Sequence, residues 1–364
     1  FYMLNKYILS PIFLTILLIN ISFFSFSQII TSSIQPINDT VSVCAGDVIT
    51  FTDSSQNIPP GATYTWTFPG GDPASATGPG PHAVEFDSTG VYSVELDVNG
   101  GIDTLLVNVI ESQPILNPTN QAWGTSTFNN QSYFTLCGSN NNIYEFEFET
   151  NSTNTNSNTI HTIDWGDGAS TTSFTGVNIS NNSHTYSNSG VYNVIYSILL
   201  DSGCEFIDTF NLFIGAAPSA TISQNSPTLC VSGSSQFLVL PGSQNTNGTL
   251  YEFTISDGSS PQIFTHEQLI NDTNSVFSPG LPPQIPPQWY FFIPHTFNNT
   301  SCGSITTGSQ VYQNAFEAEL TVSNACDQQT TSLSPLTVQS APEAQFSANP
   351  EDTIICVNNT ITFT

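Results

Sequence analysis

Gly190-Val191-Tyr192-Asn193-Val194-Ile195-Tyr196-Ser197-Ile198 is the stretch that decides the fold. Tyr192, Val194, Tyr196 and Ile198 alternate with Asn193, Ile195 and Ser197. That period of two sends one face of an extended segment to a core and the other toward solvent. A second copy starts at Gly90-Val91-Tyr92, where Tyr92, Val94, Leu96 and Val98 alternate with Ser93, Glu95 and Asp97. A third alternation runs through Phe316, Ala318, Leu320 and Val322. In the first two copies an aromatic stands four residues before the Gly, as Phe86 and Tyr186. Helical periodicity is hard to find after residue 28. The reading is an all-β chain of antiparallel sheets, each buried on one face.

A shorter strand recurs before each of these. Tyr64-Thr65-Trp66-Thr67-Phe68 runs into Pro69-Gly70-Gly71, Ile163-Asp164-Trp165 into Gly166-Asp167-Gly168, and Tyr251-Glu252-Phe253-Thr254-Ile255 into Ser256-Asp257-Gly258. Each ends in a Gly or Asp-Gly turn. The unit starts recur too. Asp39-Thr40-Val41-Ser42-Val43-Cys44 leads to Ile49-Thr50-Phe51-Thr52, and Asp352-Thr353-Ile354-Ile355-Cys356 leads to Ile361-Thr362-Phe363-Thr364. The repeats predict domains at 36–111, 112–216 and 217–340, with 341–364 opening a fourth. One or two strands cannot bury a core, so the fourth is expected to continue past Thr364. The Asn/Ser/Thr tract Asn151 to Thr159 predicts a flexible loop.

Lys6 is the one basic side chain, against 28 acidic ones. It precedes the apolar run Ile8 to Phe24 and Ser25-Phe26-Ser27. This charged, apolar, small-residue order predicts a Sec-type signal peptide over residues 1–27 with its start at Met3. A transmembrane anchor is the competing reading, but Ser10, Pro11, Asn20 and Ser22 interrupt the run. Cleavage would remove Lys6 and no acid, moving the formal charge from −27 to −28. A chain with neither Lys nor Arg excludes nucleic-acid binding and disfavours anionic membrane surfaces. A secreted or cell-surface location follows, with no transmembrane span in the mature segment.

Trp66-Thr67-Phe68-Pro69-Gly70-Gly71-Asp72-Pro73, Trp165-Gly166-Asp167-Gly168, His184-Thr185-Tyr186 and Gly190-Val191-Tyr192-Asn193-Val194 resemble the polycystic-kidney-disease (PKD) domain. The resemblance implies tandem immunoglobulin-like β-sandwiches of about seven strands each. It covers most of residues 36–340. The third unit departs from it, with Phe253 or Ile255 in place of the Trp, but His295-Thr296-Phe297 matches His184-Thr185-Tyr186. The leader, the Asn/Ser/Thr bias and the Cys before the first Phe strand resemble surface proteins of gliding Bacteroidetes. Such proteins commonly end in a gliding-associated or type IX secretion sorting domain.

Seven cysteines in an exported chain predict structural disulfides. Cys137 opens the second unit and Cys204 follows its alternating strand; Cys230 opens the third and Cys326 follows its alternating strand. The two topological places predict the same bridge twice, Cys137–Cys204 and Cys230–Cys326. Each would stabilise its own domain by ~4 kcal/mol on the chain-entropy model. Free buried thiols are the alternative. Cys44 finds Gly101-Ile102-Asp103-Thr104 where a partner would stand, Cys356 looks past Thr364, and Cys302 is left over.

No catalytic constellation stands out. His266-Glu267-Gln268-Leu269-Ile270 begins like a zinc-protease helix, but Ile270 occupies the second His position, which leaves a loop or short helix. His184 and His295 read as packed or hydrogen-bonding side chains at a sandwich edge. Asp164 and Asp167 could hold Ca2+, but Gly166 breaks the alternate spacing of a calcium loop, so turn chemistry is the stronger reading. Trp66 and Trp165 would stack on sugars if exposed, and belong to the core otherwise. Asp-Thr/Ser-x steps at Thr40, Ser88, Thr104 and Thr353 resemble bacterial O-glycosylation acceptors, the alternative being ordinary strand entries.

The function these features predict is non-catalytic: an adhesin or spacer stalk meeting an extracellular glycan or protein, linked to gliding motility by the resemblance. No cofactor is expected. Two alternatives stay open. The modules could accompany a secreted peptidase or glycan hydrolase whose catalytic domain lies beyond residue 364. Or one module binds polysaccharide itself, the third unit first, through Trp289 or Tyr290.

Overall fold

A computed structural model describes residues 29–138, 143–224, 228–273, 275–278 and 288–340, with two-residue strands at Ala348–Asn349 and Thr362–Phe363. The leader and most of residues 341–364 lie outside the described residues. The chain forms two compact units, 1–111 and 112–364. It is all-β, built from immunoglobulin-like sandwiches in tandem.

The first unit comprises β1 (Ile30–Ser32), β2 (Thr40–Cys44), β3 (Asp47–Asp53), β4 (Tyr64–Thr67), β5 (Ser75–Thr77), β6 (His82–Phe86), β7 (Gly90–Val98) and β8 (Gly101–Ile110). One sheet has the order β1-β3-β6 and the other β2-β8-β7-β4-β5. β2 lies parallel to β8, from Thr40 opposite Leu106 to Cys44 opposite Ile110. Alternation puts Val94, Leu96 and Val98 of β7 into the core with Phe51, Trp66, Phe68 and Phe86. The buried Trp66 still donates its indole N–H to the Gly78 carbonyl at 2.8 Å, so no polar group is orphaned there.

The Gly-Val-Tyr motif has a physical cause. Tyr92 donates its hydroxyl to the Ser88 carbonyl four residues back at 3.0 Å, and Tyr192 does the same to Asn188 at 2.7 Å. Each Tyr fastens the corner where the chain enters its long strand. Gly70 belongs to the same corner. Its φ is +74°, and a Cβ there would sit 2.3 Å from the Tyr92 ring, so the position requires glycine.

The second unit holds two sandwiches. The first of these contains β9 (Leu116–Pro118), β10 (Gly124–Phe128), β11 (Gln131–Cys137), β12 (Tyr144–Thr150), β13 (Ile160–Asp164), β14 (Thr172–Thr175), β15 (Asn182–Tyr186), β16 (Gly190–Leu199) and β17 (Glu205–Gly215). Its sheets are β10-β11-β17-β16-β13-β14 and β15-β12-β9. β11 runs parallel to β17, ending with Cys137 opposite Gly215. Phe146, Phe148, Ile163, Trp165, Tyr186, Val194, Tyr196 and Ile198 fill the core.

The polar tract Asn151 to Thr159 forms a loop between β12 and β13, as expected, and its side chains hydrogen-bond into this sandwich. Ser152 is 4% exposed and its hydroxyl meets that of Tyr196 at 2.9 Å. The Asn156 amide donates to Thr159 Oγ1 at 2.9 Å. Short polar side chains bond backbone locally, and a tract rich in them can be ordered by those bonds alone.

The third sandwich contains β18 (Ala220–Gln224), β19 (Thr228–Cys230), β20 (Ser234–Pro241), β21 (Leu250–Ile255), β22 (Gln262–Thr265), α1 (His266–Asn271), β23 (Val276–Ser278), β24 (Gln288–Thr296), β25 (Ser304–Thr307), β26 (Gln310–Gln313), β27 (Phe316–Ser323) and β28 (Gln328–Gln339). Its sheets are β18-β20-β24-β23 and β19-β28-β27-β21-β22. β19 is parallel to β28, ending with Cys230 opposite Gln339. The His266-Glu267 segment opens the short helix α1, held by a Thr265/Gln268 capping box.

Candidate functional site

The joint between the second and third sandwiches is the most elaborated feature of the second unit. β11 ends at Cys137, paired with Gly215, so Cys137 stands at the pole where the chain leaves the second sandwich. The turn joining β27 to β28 is Asn324-Ala325-Cys326-Asp327. The Asn324 side-chain oxygen accepts from the amides of Cys326 and Asp327 at 2.8 and 3.2 Å, which shapes the turn. Its side-chain amide donates to the Ala216 carbonyl at 2.9 Å, which ties the turn to the linker. Cys137 and Cys326 are bonded as a disulfide, with Cα atoms 5.7 Å apart and a sequence separation of 189.

Two more contacts close this joint. Phe213 is fully buried, yet it lies on the face of β17 opposite Leu212 and Ile214, which belong to the sandwich core. It packs against Gly248 of the third sandwich. Gly248 has φ +86°, and a Cβ there would approach Val191 to 2.3 Å and Phe213 to 3.3 Å. Only glycine lets the turn come that close. Ser219, in the linker, exchanges hydrogen bonds with the Asn245 side chain at 3.0 and 2.8 Å.

The expected pairs Cys137–Cys204 and Cys230–Cys326 are overturned. Cys204 precedes β17 at its start, while Cys137 pairs with Gly215 at its end. Eleven residues of strand put them ~37 Å apart. Cys326 and Cys230 stand at opposite ends of β28 in the same way, ~44 Å apart. A disulfide needs Cα atoms within about 7 Å. Cys204 is nonetheless disulfide-bonded, as is Cys44, whereas Cys230 and Cys302 carry exposed free thiols.

The other singled-out residues fall as follows. Trp66 and Trp165 are 0% and 1% exposed, so both are core and neither offers a sugar platform. Asp164 and Asp167 accept from the amides of Gly166 and Ala169 at 3.0 and 2.9 Å, which is turn chemistry. His184 stacks on Trp165 with ring centroids 4.5 Å apart and bonds Asp167 at 2.8 Å. His295 bonds Asp257 at 2.8 Å in the same place of the third sandwich. Burial pushes the Asp167 carboxyl up, but the Ala169 amide and His184 outweigh it and hold it below its ordinary value. Ser88 and Thr104 are exposed and Thr40 is half-buried, while Thr353 lies outside the described residues. Trp289 is partly buried beside Phe277, at 5.1 Å between centroids, on a cavity of about 270 Å³ that Asn245 and His266 also line. A wider groove of about 500 Å³ crosses β10, β11 and β17 over Tyr133, Phe134, Phe210 and Asn211. The Ser126 hydroxyl beside it is buried without a partner. Among the described residues no helix is long and apolar enough to cross a membrane.

Two buried histidines are expected to make the second unit acid-sensitive. His161 is fully buried; its Nδ1 meets the Tyr196 hydroxyl at 2.6 Å and its Nε2 the Gly176 carbonyl at 3.0 Å. His266 meets the Tyr251 hydroxyl at 3.1 Å. Burial lowers both below the ordinary value of 6.5. The unfolded chain therefore takes up protons first as pH falls, and stability drops from about pH 6.5 downward. The melting temperature of the second unit is expected to fall between pH 7 and pH 5, and to fall less in a His161→Gln variant. A flat thermal profile over that range contradicts this.

No protein-family model matches the chain, and no curated protein sequence matches it. Several solved tandem-domain structures are similar to it. A three-domain fragment of titin, I67–I69, is 10% identical at TM-score 0.25, covering 86% of this chain and 99% of the fragment. The ICAM-5 D1–D4 ectodomain fragment is 11% identical at TM-score 0.29, covering 88% of this chain and 79% of the fragment. A structure from a 1.5-MDa bacterial ice-binding adhesin is 12% identical at TM-score 0.23, covering 86% and 99%. The immunoglobulin-like assignment rests on the strand pairing of this chain, not on these scores.

Proposed function

We propose that this chain is a non-catalytic, exported stalk at the cell surface, whose sandwiches follow one another in series to hold an adhesive end away from the cell. The observation that carries the reading is the joint. A disulfide, a plug residue and a side-chain clamp together restrain how the second and third sandwiches move against each other. An enzyme scaffold would instead gather titratable groups at one cleft. Disulfides support an oxidising compartment outside the cytosol. The excess of acids over bases supports a solvated exterior that keeps neighbouring stalks apart. The PKD resemblance extends the reading toward gliding motility and type IX export. Antibody to residues 217–340 is expected to label intact cells, and deletion of residues 36–340 to lower their attachment to surfaces. Labelling only after permeabilisation, or unchanged attachment, overturns the proposal.

A second reading, glycan binding by a module, is favoured by the cavity that Trp289 and Phe277 line, an aromatic wall that suits the apolar face of a neutral sugar. Glycan-array binding that is lost in Trp289→Ala supports it. Failure to bind any glycan removes it.

A further inference from the structure

We infer that Cys230 is one half of a joint like that at Cys137, and that its partner is a cysteine in the turn between the last two strands of a following sandwich. The inference rests on the serial-stalk reading and on the expectation that another sandwich follows the third.

Three sandwiches put a cysteine at one and the same register position, the last pair of the parallel ladder: Cys44 opposite Ile110, Cys137 opposite Gly215, Cys230 opposite Gln339. Each therefore stands at the pole where the chain exits. Two sandwiches carry a second cysteine in the opposite-pole turn, Cys204 after β16 and Cys326 after β27. The corresponding turn of the first sandwich, Val98-Asn99-Gly100-Gly101, has none. The observed bridge joins an exit-pole cysteine to the turn cysteine of the next sandwich, Cys137 to Cys326. Cys44 and Cys204 are each in a disulfide as well. Of the three exit-pole cysteines, Cys230 is the one with a free thiol, and it is exposed.

Nearby thiols do not fit. Val231 bonds the Gln339 carbonyl on the β19 side of β28, whereas Ser301 bonds the N–H and C=O of Val338, each at 3.0 Å. Backbone groups of successive strand residues point to opposite edges, so Cys302 lies across β28 from Cys230. Two strand spacings separate them by ~10 Å, beyond the reach of a disulfide. Cys356 stands five residues before Ile361, as Cys44 stands before Ile49, so in sequence it repeats Cys44 and is no counterpart of Cys204 or Cys326. Bond formation takes one proton from each thiol and passes two electrons to a protein or low-molecular-weight disulfide of the export compartment, which leaves as two thiols.

The test is cystine mapping on the full-length secreted protein from its own cells, alkylated with iodoacetamide before denaturation and again after it, without reduction. Proteases that cut at Glu and at aromatic residues replace trypsin, since the mature segment has no Lys or Arg. The expected result is a Cys230 peptide linked to a peptide from beyond Thr364 whose cysteine lies between two alternating strands. A Cys230→Ser variant is expected to expose one new alkylated cysteine, that partner. Alkylated Cys230 in the unreduced protein, a link to Cys302, Cys356 or a second Cys230, or no new thiol in the variant overturns the inference. Any of these results would leave Cys137–Cys326 and the attachment assay for the stalk untouched.

Discussion

Trp165→Ala is expected to cost the second sandwich about 3–5 kcal/mol, the range for deleting a buried aromatic. The side chain is 1% exposed and sits at the centre of a ring cluster, 5.0 Å from Phe148, 6.1 Å from Phe146 and 4.5 Å from His184. Removing it leaves a cavity between two sheets that strand pairing holds apart. It also strips Thr172 Oγ1 of the indole N–H that it accepts at 2.8 Å. A domain of this size has a total stability of about 5–15 kcal/mol, so the loss is a large share of it. Urea denaturation of the variant should show an early transition for the second unit with that of residues 1–111 unchanged. A midpoint shift worth less than about 1 kcal/mol would contradict the packing described.

The second large effect is expected from Cys137→Ala, or equally from Cys326→Ala. On the chain-entropy model a closed loop of 189 residues contributes about 5 kcal/mol. Because the bridge joins two sandwiches, its loss is expected to act on the joint more than on either core. The Asn324–Ala216 bond and the Phe213 contact remain but no longer have a covalent restraint behind them. Spin-label distances between β13 and β21 should broaden, and amide exchange should rise at residues 216–219 and 242–248. Unchanged distance distributions in the variant would show that the noncovalent contacts suffice.

The strands were legible because each is buried on one face, and burial on one face writes a period of two into Val94-Leu96-Val98 and Val194-Tyr196-Ile198. The core tryptophans were legible for the same reason. The disulfides were not. Alternation tells which strand a cysteine precedes or follows, but not which pole of the sandwich it reaches. That depends on the parallel register of β11 on β17, which brings residues 133–137 beside 211–215 and is not encoded locally. The His184–Asp167 and His295–Asp257 pairs were half visible. Both histidines precede an aromatic by two, but their acids lie 17 and 38 residues away. Phe213 left a signal that alternation alone passes over. Leu212-Phe213-Ile214 is a continuous apolar run at a place where a half-buried strand would show a polar residue, and that marks burial on both faces.

The parallel edge pairing has a consequence for a chain under load. In each sandwich an early strand and the final strand lie side by side and point the same way. Once the Cys137–Cys326 bridge is reduced, tension along the polypeptide drags them in opposite directions along their length. Their hydrogen bonds are then loaded together in shear instead of parting one after another like a zip. β2 on β8 and β11 on β17 offer five register pairs apiece, whereas β19 on β28 offers three. With the disulfides reduced, the third sandwich is therefore the one that should yield first when the chain is stretched; with the Cys137–Cys326 bridge intact, the load bypasses residues 138–325.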